Sequence, residues 1–461
     1  MARRFTTLTL VLTATIAAAA PAGAQPQAPP KLSVPYTLFT LPNGLTVILH
    51  EDHTVPLVSV NVWYHAGSGR EKPGRTGFAH LFEHLMFEGS KHVKEGEFDT
   101  LLEAAGGDNN GSTNSDRTNY WVNVPSSGLE LALFLESDRM GYLLDVVSPE
   151  LVNGQRDVVK NERRQSYENQ PYGLSFIRLG ELLWPKDHPY HWPTIGYMED
   201  LTAAAQEDVT DFFKKYYAPG NASLAIAGDI DPTTTRQMVE RWFSDVKAGA
   251  FVPPIGAPPA YLSGVVRETM EDRVQFPRIY LEWITPAQYT PGDTDLDLVS
   301  QILAGGKNSR LYKRLVYDLQ IAQNVSAGQS SEALGSSFEI VVTAKPAPGQ
   351  PPKPPQAMID EVKAIVDEEL EKLRREPPAE RELERALNQI EASFFDRIER
   401  VGSFGGKADL LNAYFTATGN PDFFNEDLSR YRARSVTDLQ AAVRYWLPAD
   451  RRVELTVLPG K

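Results

Sequence analysis

The chain has 461 residues, more than one hydrophobic core usually serves, so its length implies two domains. Hydrophobic residues make up 42% and charged residues 23%, the balance of a soluble globular protein, and a formal charge of −14 argues against nucleic acid or an anionic lipid surface as partner. There is no cysteine, which excludes disulfides and thiolate ligands and leaves histidine and carboxylates as donors for any metal.

Arg3 and Arg4 precede an apolar run over residues 8–20 and small residues up to Ala24, the pattern of a signal peptide spanning 1–24. The run is too short for a stable anchor, and no later stretch has the length of a membrane helix. The mature chain is therefore expected to be periplasmic or secreted, with no membrane anchor. Residues 25–34 read as a Pro-rich tether. Two strands are expected around the turn Pro42-Asn43-Gly44, and alternation predicts another over 58–64. A short helix over 98–105 stops at Gly106-Gly107, residues 108–116 read as a polar turn, and 118–124 as a strand. Amphipathic helices are expected over 129–144, 151–167 and 208–217, then a buried strand over 222–227 and a helix over 233–243.

The Pro-rich stretch 247–263 separates an N-terminal domain, 35–246, from a C-terminal domain, 264–461. The second half repeats the order of elements in the first. It has strands over 278–284 and 337–344, a helix over 294–304, charged helices over 358–374 and 378–400, more helix within 428–446, and a closing strand over 452–458. Six prolines between 345 and 356 make that segment a surface loop.

The chemistry concentrates in the helical pattern 77–87, which contains His80, Glu83 and His84. Positions i and i+4 share a helix face, so both imidazoles can point at one ion. Glu83 is beside His84 and three residues from His80, within reach of a water held by that ion. The order His-x-x-Glu-His reverses the better-known zinc helix His-Glu-x-x-His. Phe78, Leu81, Phe82, Leu85 and Met86 mark the helix as buried, and burying two imidazoles and a carboxylate without partners costs several kcal/mol. The pattern predicts one zinc ion per chain, with Glu83 as base rather than ligand. A third ligand is needed. His188 and His191 flank Pro189, which breaks any helix and points to loop packing. Glu162, Glu88, Glu95 and Glu168 remain open as the third donor on the residues alone.

The chain resembles the pitrilysin-like inverted-zincin metallopeptidases, closest to the mitochondrial processing peptidase type and its bacterial exported relatives. The matching stretches are 41–47, 77–89, Gly106-Gly107, 157–162, His188-Pro189 and 217–221. The resemblance implies that His80, His84 and Glu162 bind zinc and that Glu83 is the general base. It implies an α+β fold with two similar domains, each a mostly antiparallel sheet with helices packed on it, forming one half of a clamshell. The activity implied is endoproteolysis of unfolded peptides. Substrate is expected to add a strand at a sheet edge near the turn 108–113 and the strand at Thr118, with Asn110 either contacting it or serving only to form the turn. The chain departs from the pattern in two respects. Gln155 stands where the family usually has a supporting Glu behind the ligands. Val316 and Gln323 stand where many members carry an Arg and a Tyr that bind substrate and the developing oxyanion. A second, homologous chain supplying that pair in a heterodimer accounts for the loss. The alternative is a non-catalytic peptide-binding or assembly subunit with a vestigial zinc site; the intact His80, Glu83 and His84 set weighs against it.

Overall fold

The computed structural model describes residues 31–351 and 353–460. The expected signal peptide and most of the tether lie outside the described residues. Two mixed sheets organise the chain. The first contains β1 (Thr37–Thr40), β2 (Thr46–Glu51), β3 (Leu57–Tyr64), β4 (Asp108–Thr113), β5 (Thr118–Pro125) and β6 (Ala222–Gly228), in the order β1-β2-β6-β3-β5-β4. The second contains β7 (Val266–Asp272), β8 (Arg278–Thr285), β9 (Ala322–Ser330), β10 (Ser336–Ala344) and β11 (Val453–Pro459), in the order β7-β11-β8-β10-β9. Apart from the extra β1, the orders are identical. In each, the last strand inserts between two others, parallel to one (β2 or β7) and antiparallel to the other (β3 or β8). The fold is therefore α+β with two similar halves.

One face of the first sheet, with Val58, Val60, Val62 and Tyr64 of β3 and Tyr120, Val122 and Val124 of β5, packs on helices and builds the first core. The helices that matter for the site are α1 (Phe78–Leu85), α2 (Glu97–Ala104), α3 (Leu129–Tyr142), α4 (Pro149–Arg163) and α5 (Gly173–Leu183). The opposite face alternates to Ser59, Asn61, Asn119 and Asn123, as the period of two requires. That face is buried too, under the helix Lys407–Thr418 from the far end of the chain. Asp409 accepts hydrogen bonds from Trp63 Nε1 and Asn119 Nδ2 (2.8 Å each), and Asn412 Nδ2 donates to Asn61 O at 2.9 Å. The exchange is mutual: Leu179 and Leu183 of α5 pack with Tyr280, Val453 and Leu455 of the second sheet.

Some expectations change. Residues 108–113 are not a turn but β4, the free edge of the first sheet, paired in register with β5. Their polar composition suits an edge strand, whose outer groups face water. β7 and β9, α5, and the helices Met198–Ala203 and Lys407–Thr418 had no counterpart among the expected elements. The helix expected over 151–167 ends at Arg163 and widens into a π turn, Arg164–Glu168.

Candidate metal centre

The helix α1 repeats Phe78, Leu81, Phe82 and Leu85, all buried, at the spacing that makes one apolar stripe. This stripe docks α1 on the core and turns His80, Glu83 and His84 to the other side. The helix starts at Gly77, whose φ of +85° is left-handed. Its N-terminal amides are capped from six residues upstream: Glu71 accepts from Gly77 N at 2.9 Å and from Ala79 N at 2.7 Å. The second carrier, α4, begins with Ser148 accepting from Leu151 N at 3.2 Å and with Pro149 in its first turn. Glu162 sits in the last turn of α4.

These two helices bring three donors together. Glu162 Oε2 lies 3.6 Å from His80 Nε2 and 3.2 Å from His84 Nε2. The three donor atoms all fall within 4.8 Å of one another, the one such His/Cys/Asp/Glu group among the described residues. Donors held about 2.0–2.2 Å from one tetrahedral ion stand about 3.3–3.6 Å apart, so the spacing fits a shared divalent cation. The electrostatics fit as well. Burial pushes the His80 imidazole down to about 4, keeping it neutral as a metal ligand must be. The adjacent His84 imidazole holds the Glu162 carboxyl below its ordinary value. The Glu162 side chain is 40% exposed, so the centre opens to solvent.

Glu83 does not join this group. Its carboxylate turns towards β4, where Thr113 Oγ1 donates to Oε2 at 2.7 Å. Burial raises the Glu83 carboxyl, opposed by the Thr113 hydrogen bond. β4 comes this close because position 111 is glycine: a Cβ there would stand 3.1 Å from Glu83 Cγ and 3.1 Å from Tyr120 Cδ1. Neither Thr113 nor Gly111 stood out in the sequence, because a polar strand edge carries no periodic signal. Removing the hydroxyl tests the link. Thr113→Val is expected to lower kcat on a fluorogenic peptide about tenfold, from loss of a hydrogen bond to a charged group, with Thr113→Ser close to wild type. Equal rates for all three would remove Thr113 from the site.

The other sequence candidates are placed as follows. Asn110 lies on the β4 edge, and its Oδ1 accepts from the amide of Gly111 at 2.8 Å. Gln155 lies two turns before Glu162 on α4 and lines a cleft of ≈580 Å³ with Glu88, Glu95 and Gly154. Among the described residues no hydrogen bond joins Gln155 to His80, His84 or Glu162. His188 is fully buried and stacks on Trp184 with ring centres 4.4 Å apart, while His191 Nδ1 lies 2.8 Å from Trp184 O; neither is in the donor group. In the second half, Arg310 makes a two-point pair with Glu382 at 2.7 Å, and Arg314 is held by Glu368 and Glu369. Val316 packs on the second core and Gln323 is exposed on β9.

Residues 46–175, which include all four candidate residues of α1 and α4, match the family model described as insulinase (peptidase family M16). Residues 204–390 match the model described as the peptidase M16 inactive domain. The zinc protease PqqE of Helicobacter pylori is 30% identical over 380 residues, covering 81% of this chain and 82% of that protein. An uncharacterised zinc protease of Streptomyces coelicolor is 24% identical over 429 residues, covering 91% of this chain and 88% of that protein. The crystal structure of a protease from Helicobacter pylori superposes with a TM-score of 0.82 at 26% identity, covering 92% of this chain and 100% of that chain.

Proposed function

The chain belongs to peptidase family M16, and we propose that it is an exported zinc endopeptidase of unfolded peptides, the catalytic subunit of a heterodimer. The observation that carries this reading is the convergence of His80, His84 and Glu162 from two helices, with Glu83 on the same helix face but outside the donor group. His80, His84 and Glu162 would hold the ion. A zinc ion supplies a lowered pKa for water and polarisation of the scissile carbonyl. Glu83 takes the proton from the attacking water and delivers it to the leaving amine nitrogen. Thr113 holds the Glu83 carboxylate in place for both transfers.

The peptide lies extended along the free edge of β4, adding a strand to the first sheet. Asn110 is the residue there that contacts its backbone. The domains are read as 35–246 and 264–461, joined by 247–263, together forming one half of a clamshell. Among the described residues no helix is long and apolar enough to cross a membrane, which is compatible with a periplasmic or secreted enzyme.

In the second half, the two positions at which the resemblance implies an Arg and a Tyr for the developing oxyanion carry neither. Val316 and Gln323 occupy the two positions concerned, and the nearby Arg310 and Arg314 are both engaged by glutamates. Loss of one such donor costs about 10²–10³ in kcat. A second, homologous chain bringing an Arg/Tyr pair restores it. Purified alone, this chain is expected to cleave peptides at least about 100-fold more slowly than after mixing with its homologous partner. Full activity of the isolated chain would end the heterodimer reading while leaving the peptidase reading intact.

A further inference from the structure

The ligands come from two separate helices, so the distance between α1 and α4 decides whether a third donor reaches the first two. Metal-binding histidines are usually oriented by a hydrogen bond from the second ring nitrogen. His80 lacks one: its Nδ1 is buried without a partner. The precision of the centre must therefore come from how the two helices are held.

One segment touches both. Arg163, next to Glu162 in sequence, is buried, and its Nη1 donates to Gly196 O at 2.9 Å. Gly196 in turn lies against the start of α1: a Cβ there would fall 2.5 Å from Gly77 Cα and 2.7 Å from Thr76 O. Its φ of +78° also suits glycine alone. The contact is pinned on either side, where Tyr197 N donates to Thr76 Oγ1 at 2.9 Å and Thr76 Oγ1 donates to Asp200 Oδ2 at 2.7 Å. The path from Glu162 to His80 thus runs through Arg163, Gly196 and Gly77, with Glu71 locking the α1 amides beyond.

We infer that Arg163, through Gly196 and Gly77, is a positioning residue that sets the spacing between the two ligand-bearing helices. It touches neither substrate nor metal. Its effect is on how tightly the centre closes on a cation. The inference rests on the reading of His80, His84 and Glu162 as a zinc site.

The test is the zinc dissociation constant of the full chain, measured by competition with a chromophoric chelator, together with the melting temperature of the zinc-free protein. Arg163→Met is expected to weaken zinc binding about 10–100-fold, the range seen when outer partners of metal ligands are removed. Gly196→Ala, acting from the other side of the same contact, is expected to fall in that range. Arg163→Lys, which keeps a donor, is expected to recover part of the loss. Arg452→Met is the control: Arg452 is buried in the second half, paired with Asp367 and Glu454, so its loss should lower the melting temperature and leave zinc affinity unchanged. If Arg163→Met does not fold, Arg163→Lys is read in its place, with a smaller weakening of more than threefold expected. Zinc affinity within threefold of wild type in the folded variants would overturn the inference. So would an equal weakening in Arg452→Met. Absence of zinc binding by the wild-type chain would instead sink the metal reading itself.

Discussion

Glu83→Gln is expected to abolish turnover while leaving one zinc ion bound per chain. The substitution keeps the size of the side chain and an oxygen that can accept from Thr113 Oγ1, now 2.7 Å from Oε2. It removes the capacity to take a proton. A positioned general base is worth about 10²–10⁴ in rate, so kcat should drop by at least two orders of magnitude. The proposed metal donors, His80, His84 and Glu162, are not altered, so zinc content should stay at the wild-type value. Both numbers come from one preparation, by a fluorogenic peptide assay and by elemental analysis. Turnover within tenfold of wild type would remove Glu83 from its role, and loss of zinc would make it a ligand.

Glu162→Ala carries the second large effect. Two imidazoles on one helix would hold zinc weakly by themselves; in the proposed site the carboxylate from α4 is the third donor and brings the negative charge. Its removal should weaken zinc binding by more than the roughly 10–100-fold typical of outer partners, and peptide cleavage should vanish at stoichiometric zinc. The side chain is 40% exposed and tethers nothing else, so the far-UV circular dichroism should not change. If zinc affinity were unchanged, the third donor would have to be sought elsewhere. Glu88 and Glu95, which line the neighbouring cleft, would be the first places to look.

Local patterns made half of this site legible. His80, Glu83 and His84 lie within little more than one helical turn, and the stripe of Phe78, Leu81, Phe82 and Leu85 shows which way they must face. Glu162 is different. Nothing in its own helix distinguishes it from Glu88 or Glu168, because the property that matters is a distance across two helices. The resemblance of the surrounding stretches, rather than their physics, singled it out. Thr113 and Gly111 were invisible for a related reason: residues 108–116 look like a turn, and only pairing with β5 makes 108–113 a strand edge beside Glu83.

The same limit governed the fold. Alternation over 58–64 reads as a strand with one wet face, yet Asn61 and Ser59 are both buried. The partners of Asn61, Asp409 and Asn412, are some 350 residues away in sequence. The buried Asn61 amide is satisfied by a helix that no local window connects to it. The strand order repeated between the two sheets was partly readable, because β6 and β11 are both largely buried strands that close their half of the chain. β7, which alternates exposed and half-buried residues along VRETMED, gave no such signal.

The most direct measurement is X-ray anomalous scattering at the zinc absorption edge from crystals of the purified chain. One peak per chain, lying between His80 Nε2, His84 Nε2 and Glu162 Oε2, is the result expected. No peak in zinc-supplemented crystals, or a peak remote from these three atoms, would contradict the account.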